Sequence, residues 1–186
     1  MIGVERMSFS LFFIIGLFTI QVLIIITYIT CYREWVSLMN GMVISMSVGM
    51  TAGILMGTIL GVFLQGNLFE STLYGILIGL TAGFLAGLPV GLPAVIDGML
   101  SGLMGGMMGA MLGDMLAATR PDAIIKIVGL IVTMILLLVL YMSENLIQKQ
   151  FDPANFFVLK HPYLLLFILT ILFIGLNFSG PIINAK

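Results

Sequence analysis

Long apolar segments separated by short polar ones run along the whole chain. A stretch of about 20 apolar residues is long enough to cross the ~30 Å hydrocarbon core of a bilayer as a helix. Six segments of roughly this length lie at about 8–30, 41–64, 71–88, 95–117, 123–142 and 162–179. The pattern therefore predicts an all-α fold, a polytopic membrane helical bundle of six transmembrane helices that forms one integral membrane domain over residues 1–186.

Small residues recur at every fourth position in three of these segments. Residues four apart lie on one face of a helix, and small residues let two helices approach closely in lipid. We therefore expect helices two to four to form a glycine-zipper inner core, with helices one, five and six facing lipid. The glycines expected in these contacts are Gly49, Gly53, Gly57, Gly61, Gly75, Gly79, Gly83, Gly87, Gly98, Gly102, Gly106, Gly109 and Gly113.

Composition supports the membrane interpretation and narrows the function classes. Hydrophobic residues make up 61% of the chain and charged residues 8%, whereas an ordinary soluble domain has about 25% charged residues. The net charge of -1 gives no indication of nucleic-acid binding. Only one cysteine and one histidine occur, and there is no Ser/His/Asp set, phosphate-binding loop or Cys-x-x-Cys motif. These residues do not indicate an enzyme, and they identify no cofactor.

Charges near the segment ends give a slight preference for one orientation. With six spans, the side that holds both termini has one more Lys or Arg than the opposite side. Because cytoplasmic loops carry an excess of these residues, the difference favours both termini in the cytoplasm, and we interpret the chain as a protein of a bacterial cytoplasmic membrane. The expected partners are the lipid bilayer and either further copies of the chain or other membrane subunits.

Methionines in the second segment are candidates for ion transport. Met42, Met46 and Met50 are four residues apart, and at about 100° per residue the last two are expected on the same face as the glycines of this helix. Thioether sulfur is a soft ligand that selects Cu(I), although Met also fills gaps as a flexible hydrophobe. Met46-x-x-x-Met50 precedes Gly53-x-x-x-Gly57. This step resembles the core of copper-uptake trimers over about a dozen residues, except that in that family the two motifs lie on successive helices of a three-span chain.

Three polar side chains stand in or beside the apolar segments. Asp97 and Asp114 are 17 residues apart, or about 25 Å along a helix, so we expect them at opposite ends of helix four. Asp97 either caps that helix after the apolar proline turn or binds a cation or proton, as acids near membrane depth often do. Asp114 is a second candidate for ion binding, and the alternatives are that it is solvated at the interface or paired with Arg120. Gln21 is expected to form an inter-helix hydrogen bond.

Two functions are consistent with these observations. The favoured one is an integral membrane transporter or channel for a small cation, with Cu(I) as a candidate. It is supported by the glycine core, the methionines and Asp97 beside an interrupted helix, where transporters often place substrate sites. The alternative is a non-catalytic scaffold or assembly subunit of a membrane protein complex, because close packing accounts for the glycines without any solute.

Overall fold

The computed structural model describes residues 9–33, 36–117 and 121–148, and these residues form five long helices. The helices are α1 (Phe9–Cys31), α2 (Leu38–Phe63), α3 (Leu68–Gly87), α4 (Leu92–Ala117) and α5 (Pro121–Gln148). Each contains a segment long and apolar enough to cross a membrane. The described part of the chain is thus all-helical, with the composition and helix lengths of a membrane bundle. The predicted sixth span at 162–179 lies outside the described residues.

The limits of α5 differ most from the predicted ones, and α4 also begins earlier than predicted. α4 begins at Leu92 rather than 95, because Pro93 is tolerated in a first turn, where its missing N–H would have no intrahelical partner. α5 continues to Gln148, past the predicted end at 142. The hydroxyl of Ser143 donates a hydrogen bond to the carbonyl of Val139 in the preceding turn, so this polar residue is accommodated within the helix.

α2 and α3 also begin earlier than the predicted positions 41 and 71. α2 starts directly after Ser37, whose Oγ accepts a hydrogen bond from the backbone N–H of Asn40. A serine at this N-cap position satisfies one of the free donors of the helix. α3 starts at Leu68 and carries Glu70 in its first turn, where the helix dipole favours an acid.

α2 is the most buried of the described helices and has two different packing faces. One face consists of small residues at every fourth position and contacts α3 and α4. The other face is aliphatic and belongs to one hydrophobic cluster with α1 and α5. The α2 members of that cluster are Ile44, Val48, Ala52, Leu55, Ile59 and Val62.

α1 and α5 pack with side chains of ordinary size. The buried residues of α1 recur every three or four positions, as one face of a helix does; in the cluster they are Leu11, Ile14, Phe18, Ile25 and Ile29. Gly129 of α5 accommodates Ile14, since a Cβ there would lie 3.1 Å from Ile14 Cγ2.

Gln21 lies in the same α1 row and is buried, but no described group donates a hydrogen bond to its Oε1. The predicted inter-helix hydrogen bond is therefore absent at this oxygen.

α3 and α4 keep broad exposed faces. Apart from Ala86 and Ser71, the buried residues of α3 are all glycines. Large side chains of both helices point outward, among them Leu77 of α3 and Leu100 of α4. This arrangement differs in part from the predicted one, in which the glycine helices are enclosed; α1 and α5 also carry exposed large side chains, among them Leu23 and Leu138. The reason is that the small faces of α2, α3 and α4 pack mainly against one another, whereas the aliphatic residues of α1 and α5 belong to a cluster of larger side chains to which α2 contributes.

We expect the layer formed by α1, α2 and α5 to depend on side-chain volume. Leu136 of α5 is fully buried, whereas Leu138 of the same helix is half exposed. Leu136→Ala should lower the free energy of unfolding by about 2–5 kcal/mol because it leaves a cavity, and Leu138→Ala should change it by less than about 1 kcal/mol. Unfolding of both variants by SDS in mixed micelles, followed by circular dichroism, measures the difference. Equal losses would contradict the assignment of the buried face.

Candidate functional site: the interface of α2, α3 and α4

The small residues of α2, α3 and α4 meet in three levels, and each level contains one glycine from every helix. The levels are Gly49–Gly83–Gly98, Gly53–Gly79–Gly102 and Gly57–Gly75–Gly106. Residue numbers rise together in α2 and α4 and fall in α3, so α2 and α4 run parallel and α3 runs antiparallel to both. Successive levels are four residues apart in every helix, which is why the same spacing appears in all three segments of the sequence.

At these levels backbone contacts backbone. A Cβ added to Gly53 would lie 2.5 Å from the nitrogen of Gly106 and 2.6 Å from the carbonyl oxygen of Gly102. A Cβ added to Gly57 would lie 2.7 Å from the oxygen of Gly106. Both positions are closer than the 3.0 Å that Cβ atoms keep from other heavy atoms. Alanine therefore does not fit at either position unless a helix moves.

The contacts between α3 and α4 are reciprocal. The carbonyl oxygen of Gly102 is the nearest atom to a Cβ placed on Gly79, and the oxygen of Gly79 is nearest to one placed on Gly102. The same exchange of carbonyl contacts joins Gly83 and Gly98. A Cα hydrogen thus faces a carbonyl of the neighbouring helix, a contact worth about 0.5–1 kcal/mol. Because lipid gives helices little hydrophobic reason to associate, these contacts and dispersion hold the three helices together.

α2 and α4 share a second row of contacts beside the three levels. In this row the glycines of α4 face backbone carbonyls of α2, pairing Gly105 with Met50, Gly109 with Ile54 and Gly113 with Thr58. One turn earlier, the hydroxyl of Ser101 lies 3.0 Å from the carbonyl oxygen of Met46. We call this row, from Ser101 to Gly113 on α4, the α2–α4 edge.

Two buried serines form hydrogen bonds between these helices. Ser45 stands in the four-residue row of α2, and its Oγ lies 2.6 Å from the carbonyl oxygen of Ala94 in α4 and 3.3 Å from that of Gly83 in α3. Ser101 reaches a carbonyl of α2 in the contact given above. Side-chain hydrogen bonds between membrane helices are worth about 1 kcal/mol. These two hydrogen bonds were not predicted from the sequence. The position of Ser45 in the row of small residues was the one signal that could have indicated its contact with neighbouring helices.

Asp97 lies in the second turn of α4. Because α4 begins at Leu92, the interpretation of Asp97 as an N-cap residue is wrong. Its side chain is half-buried, and no described residue forms a hydrogen bond or an ion pair with its carboxylate. Ser101, one turn after Asp97, pairs with Met46, and Met42 stands one turn before Met46 on the parallel helix α2. Asp97 therefore lies one turn before the start of the α2–α4 edge.

The candidate methionines of α2 lie along the same edge. Met46 is 44% exposed, so its side chain points away from the glycine contacts and does not share the glycine face. Met42 and Met50 are half-buried. The part of the chain that the structure describes contains no group of three or more His, Cys, Asp or Glu side chains that could hold a metal ion. Ion binding by Met42, Met46, Met50, Asp97 and Asp114 stays a prediction.

Asp114 lies in the last turn of α4 and contacts the turn between α2 and α3. Its Oδ1 accepts a hydrogen bond of 3.4 Å from the backbone N–H of Gly66. Gly66 has a φ of +90°, which glycine adopts without strain. Arg120, the partner considered from the sequence, lies outside the described residues. Since Asp97 and Asp114 occupy the second and last turns of one helix, they do not form a carboxylate pair.

Comparison with known proteins does not add to this geometry. The chain matches no protein-family model, no curated protein and no solved structure. A functional conclusion therefore rests on the interface itself and on the acids and methionines placed at its edge.

Gly53→Ala should weaken the bundle, because the added methyl group overlaps backbone atoms of α4. Overpacking costs about 1–3 kcal/mol, and more where the neighbour cannot move. Gly16→Ala in α1 is the matched control, since nothing lies within 4 Å of its Cβ position, and alanine there should be neutral or slightly stabilising. Unfolding of both variants by SDS measures the cost. Equal stability of the two proteins would contradict the close contact of α2 with α4.

Proposed function

We propose that the chain is a non-catalytic scaffold or assembly subunit of a membrane protein complex. The observation that supports this proposal is the closed interface of α2, α3 and α4, which we interpret as a glycine-zipper core. Backbone atoms of the three helices occupy the space that a conduit along their common axis would need. Close packing thus accounts for the repeated glycines without a transported solute.

A core of this kind suits a subunit that presents fixed surfaces to its neighbours. A helix held by backbone contacts at several levels cannot slide without losing the contacts at every level. Because the inward positions of α3 and α4 are small, their large side chains form a broad apolar surface that other membrane helices can contact. The residues of this surface, which we call the outer α3–α4 face, include Leu73, Leu77, Phe84, Ile96, Leu100, Met104 and Met111.

Transport of a small cation is the second candidate, and the position of Asp97 is the observation that favours it. Its half-buried carboxylate has no described partner, and an acid near membrane depth is typical of ion pathways. Thioethers of Met42 and Met46 at the same edge would supply soft ligands of the kind that Cu(I) prefers. A path for the ion would then follow the outside of the α2–α4 edge and would not pass between the three helices.

Isolation of the chain with its own lipids tests the scaffold proposal. Extraction from the native membrane into polymer nanodiscs, followed by native mass spectrometry, should give a complex of fixed stoichiometry with other membrane subunits or further copies. Leu77→Ala together with Phe84→Ala on the outer α3–α4 face should reduce the complex about tenfold, because large contact side chains carry most of the affinity of an interface. The matched control is Ile127→Ala together with Ile131→Ala on the exposed face of α5, which should leave the complex intact.

Measurement of cation flux into liposomes tests the second candidate, transport of a small cation, against the scaffold proposal. The purified chain should carry Cu(I), protons and alkali ions no faster than protein-free liposomes do. A monomeric chain that conducts one of these ions, and loses the conductance in Asp97→Asn or in Met46→Leu/Met50→Leu, would overturn the scaffold proposal and support the second candidate.

A further inference from the structure

The turns at the two ends of the α2–α3–α4 bundle differ in polarity, although both ends expose large apolar side chains, among them Phe63 and Phe69 beside the first turn. At one end, the turn between α2 and α3 contains the exposed polar residues Gln65 and Asn67, and Glu70 and Asp114 lie close to it. At the other end, the turn between α3 and α4 is apolar, and no charged residue occurs anywhere from 71 to 96. A turn of this composition is unusual at a surface that water covers.

Four large apolar side chains are exposed at this second end. Leu38 and Met39 belong to the start of α2, Leu88 to the turn and Leu92 to the start of α4; we call these four residues the turn surface. Their exposed fractions are 49%, 77%, 52% and 74%. Leu38 Cδ1 lies 3.7 Å from the Cβ position of Gly91, so the start of α2 and the turn are adjacent and form one surface.

The turn that carries this surface is held in place by the bundle. The side chain of Val90 packs against Gly41 and occupies the space of its missing Cβ. The backbone N–H groups of Val90 and Gly91 donate hydrogen bonds of 3.1 and 3.2 Å to the carbonyl of Gly87. A shift that buried Leu88 or Leu92 against the bundle would break these contacts, so the turn surface stays outward.

Helix length places the turn surface at a membrane boundary. Along α4, Asp114 and Leu92 are about 33 Å apart at 1.5 Å per residue. The hydrocarbon core is about 30 Å thick, and the bilayer with its headgroup regions is about 40–45 Å thick. With the polar end near Asp114 at one boundary, Leu92 lies a few ångströms beyond the other boundary, within the headgroup region. Asp97 then lies about 5 Å inside the hydrocarbon core.

We propose that the turn surface binds the lipid bilayer at the boundary between headgroups and acyl chains. Contact with water would leave these side chains without the stabilisation that burial of apolar area provides. The lipid boundary accepts them. The turn itself brings no charge to that boundary, since no charged residue occurs from 71 to 96, and the exposed Arg33 before α2 suits the headgroup region, where basic residues anchor helices. This inference is independent of the scaffold proposal, because it concerns the end of the bundle and not the outer α3–α4 face.

Tryptophan fluorescence of the purified full chain in nanodiscs tests this proposal. The chain has one tryptophan, so single probes are placed in a Trp35→Phe background: Leu92→Trp on the turn surface and Gln65→Trp at the polar end. Lipids brominated close to the headgroup should quench Leu92→Trp at least about twofold more than Gln65→Trp. Iodide in the buffer should show the reverse order, and the emission of Leu92→Trp should be shifted to the blue.

A second probe on the same surface is the control for a local folding defect in the first variant. Met39→Trp should behave like Leu92→Trp, and circular dichroism checks that each variant keeps its helices. Iodide quenching of both turn-surface probes at the level of Gln65→Trp would overturn the proposal, because the surface would then face water. Probes that neither brominated lipid nor iodide quenches would also overturn it, since protein would then cover the surface.

Discussion

The structure depends on direct contact between the backbones of α2, α3 and α4. Helices in lipid gain little from hydrophobic association, so contact at short range has to hold them together. Glycines of the three helices permit this contact at three successive levels, where Cα hydrogens face carbonyl oxygens. The same contact closes the axis of the bundle and leaves the large side chains of α3 and α4 on the outside. The fold and the proposed function therefore have a common physical origin.

α2 joins two layers that are stabilised in different ways. Its row of small residues contacts α3 and α4 through backbone atoms, whereas its aliphatic row belongs to a side-chain cluster with α1 and α5. The first kind of contact tolerates no added atom, and the second depends on filled volume. Ser45 adds a directional hydrogen bond to the first layer, because its hydroxyl lies within reach of carbonyls of both neighbouring helices.

Sequence patterns identify the parts of this structure in which residues of one type recur at a fixed spacing. The apolar segments overlap the five described helices, and the four-residue spacing marks the residues that meet at the three levels. The register could not be predicted, because the same spacing occurs in all three helices and fits several alignments. The place of Asp97 within α4 could not be predicted, because the sequence does not show whether Pro93 stands before or inside the helix. The orientation of Met46 could not be predicted either, because it depends on which side of α2 is covered by α4.

The distance between glycine Cα atoms of different helices tests the central claim most directly. A Cβ on Gly79 would lie 3.0 Å from the Cα of Gly53, and with a carbon–carbon bond of about 1.5 Å the two Cα atoms are no more than about 4.5 Å apart. Solid-state NMR of the chain in lipid, with ¹³C at glycine Cα, measures this separation. The account predicts a cross-peak between Gly53 and Gly79 at short mixing times. Absence of this cross-peak, and hence a larger separation of the two Cα atoms, would contradict it.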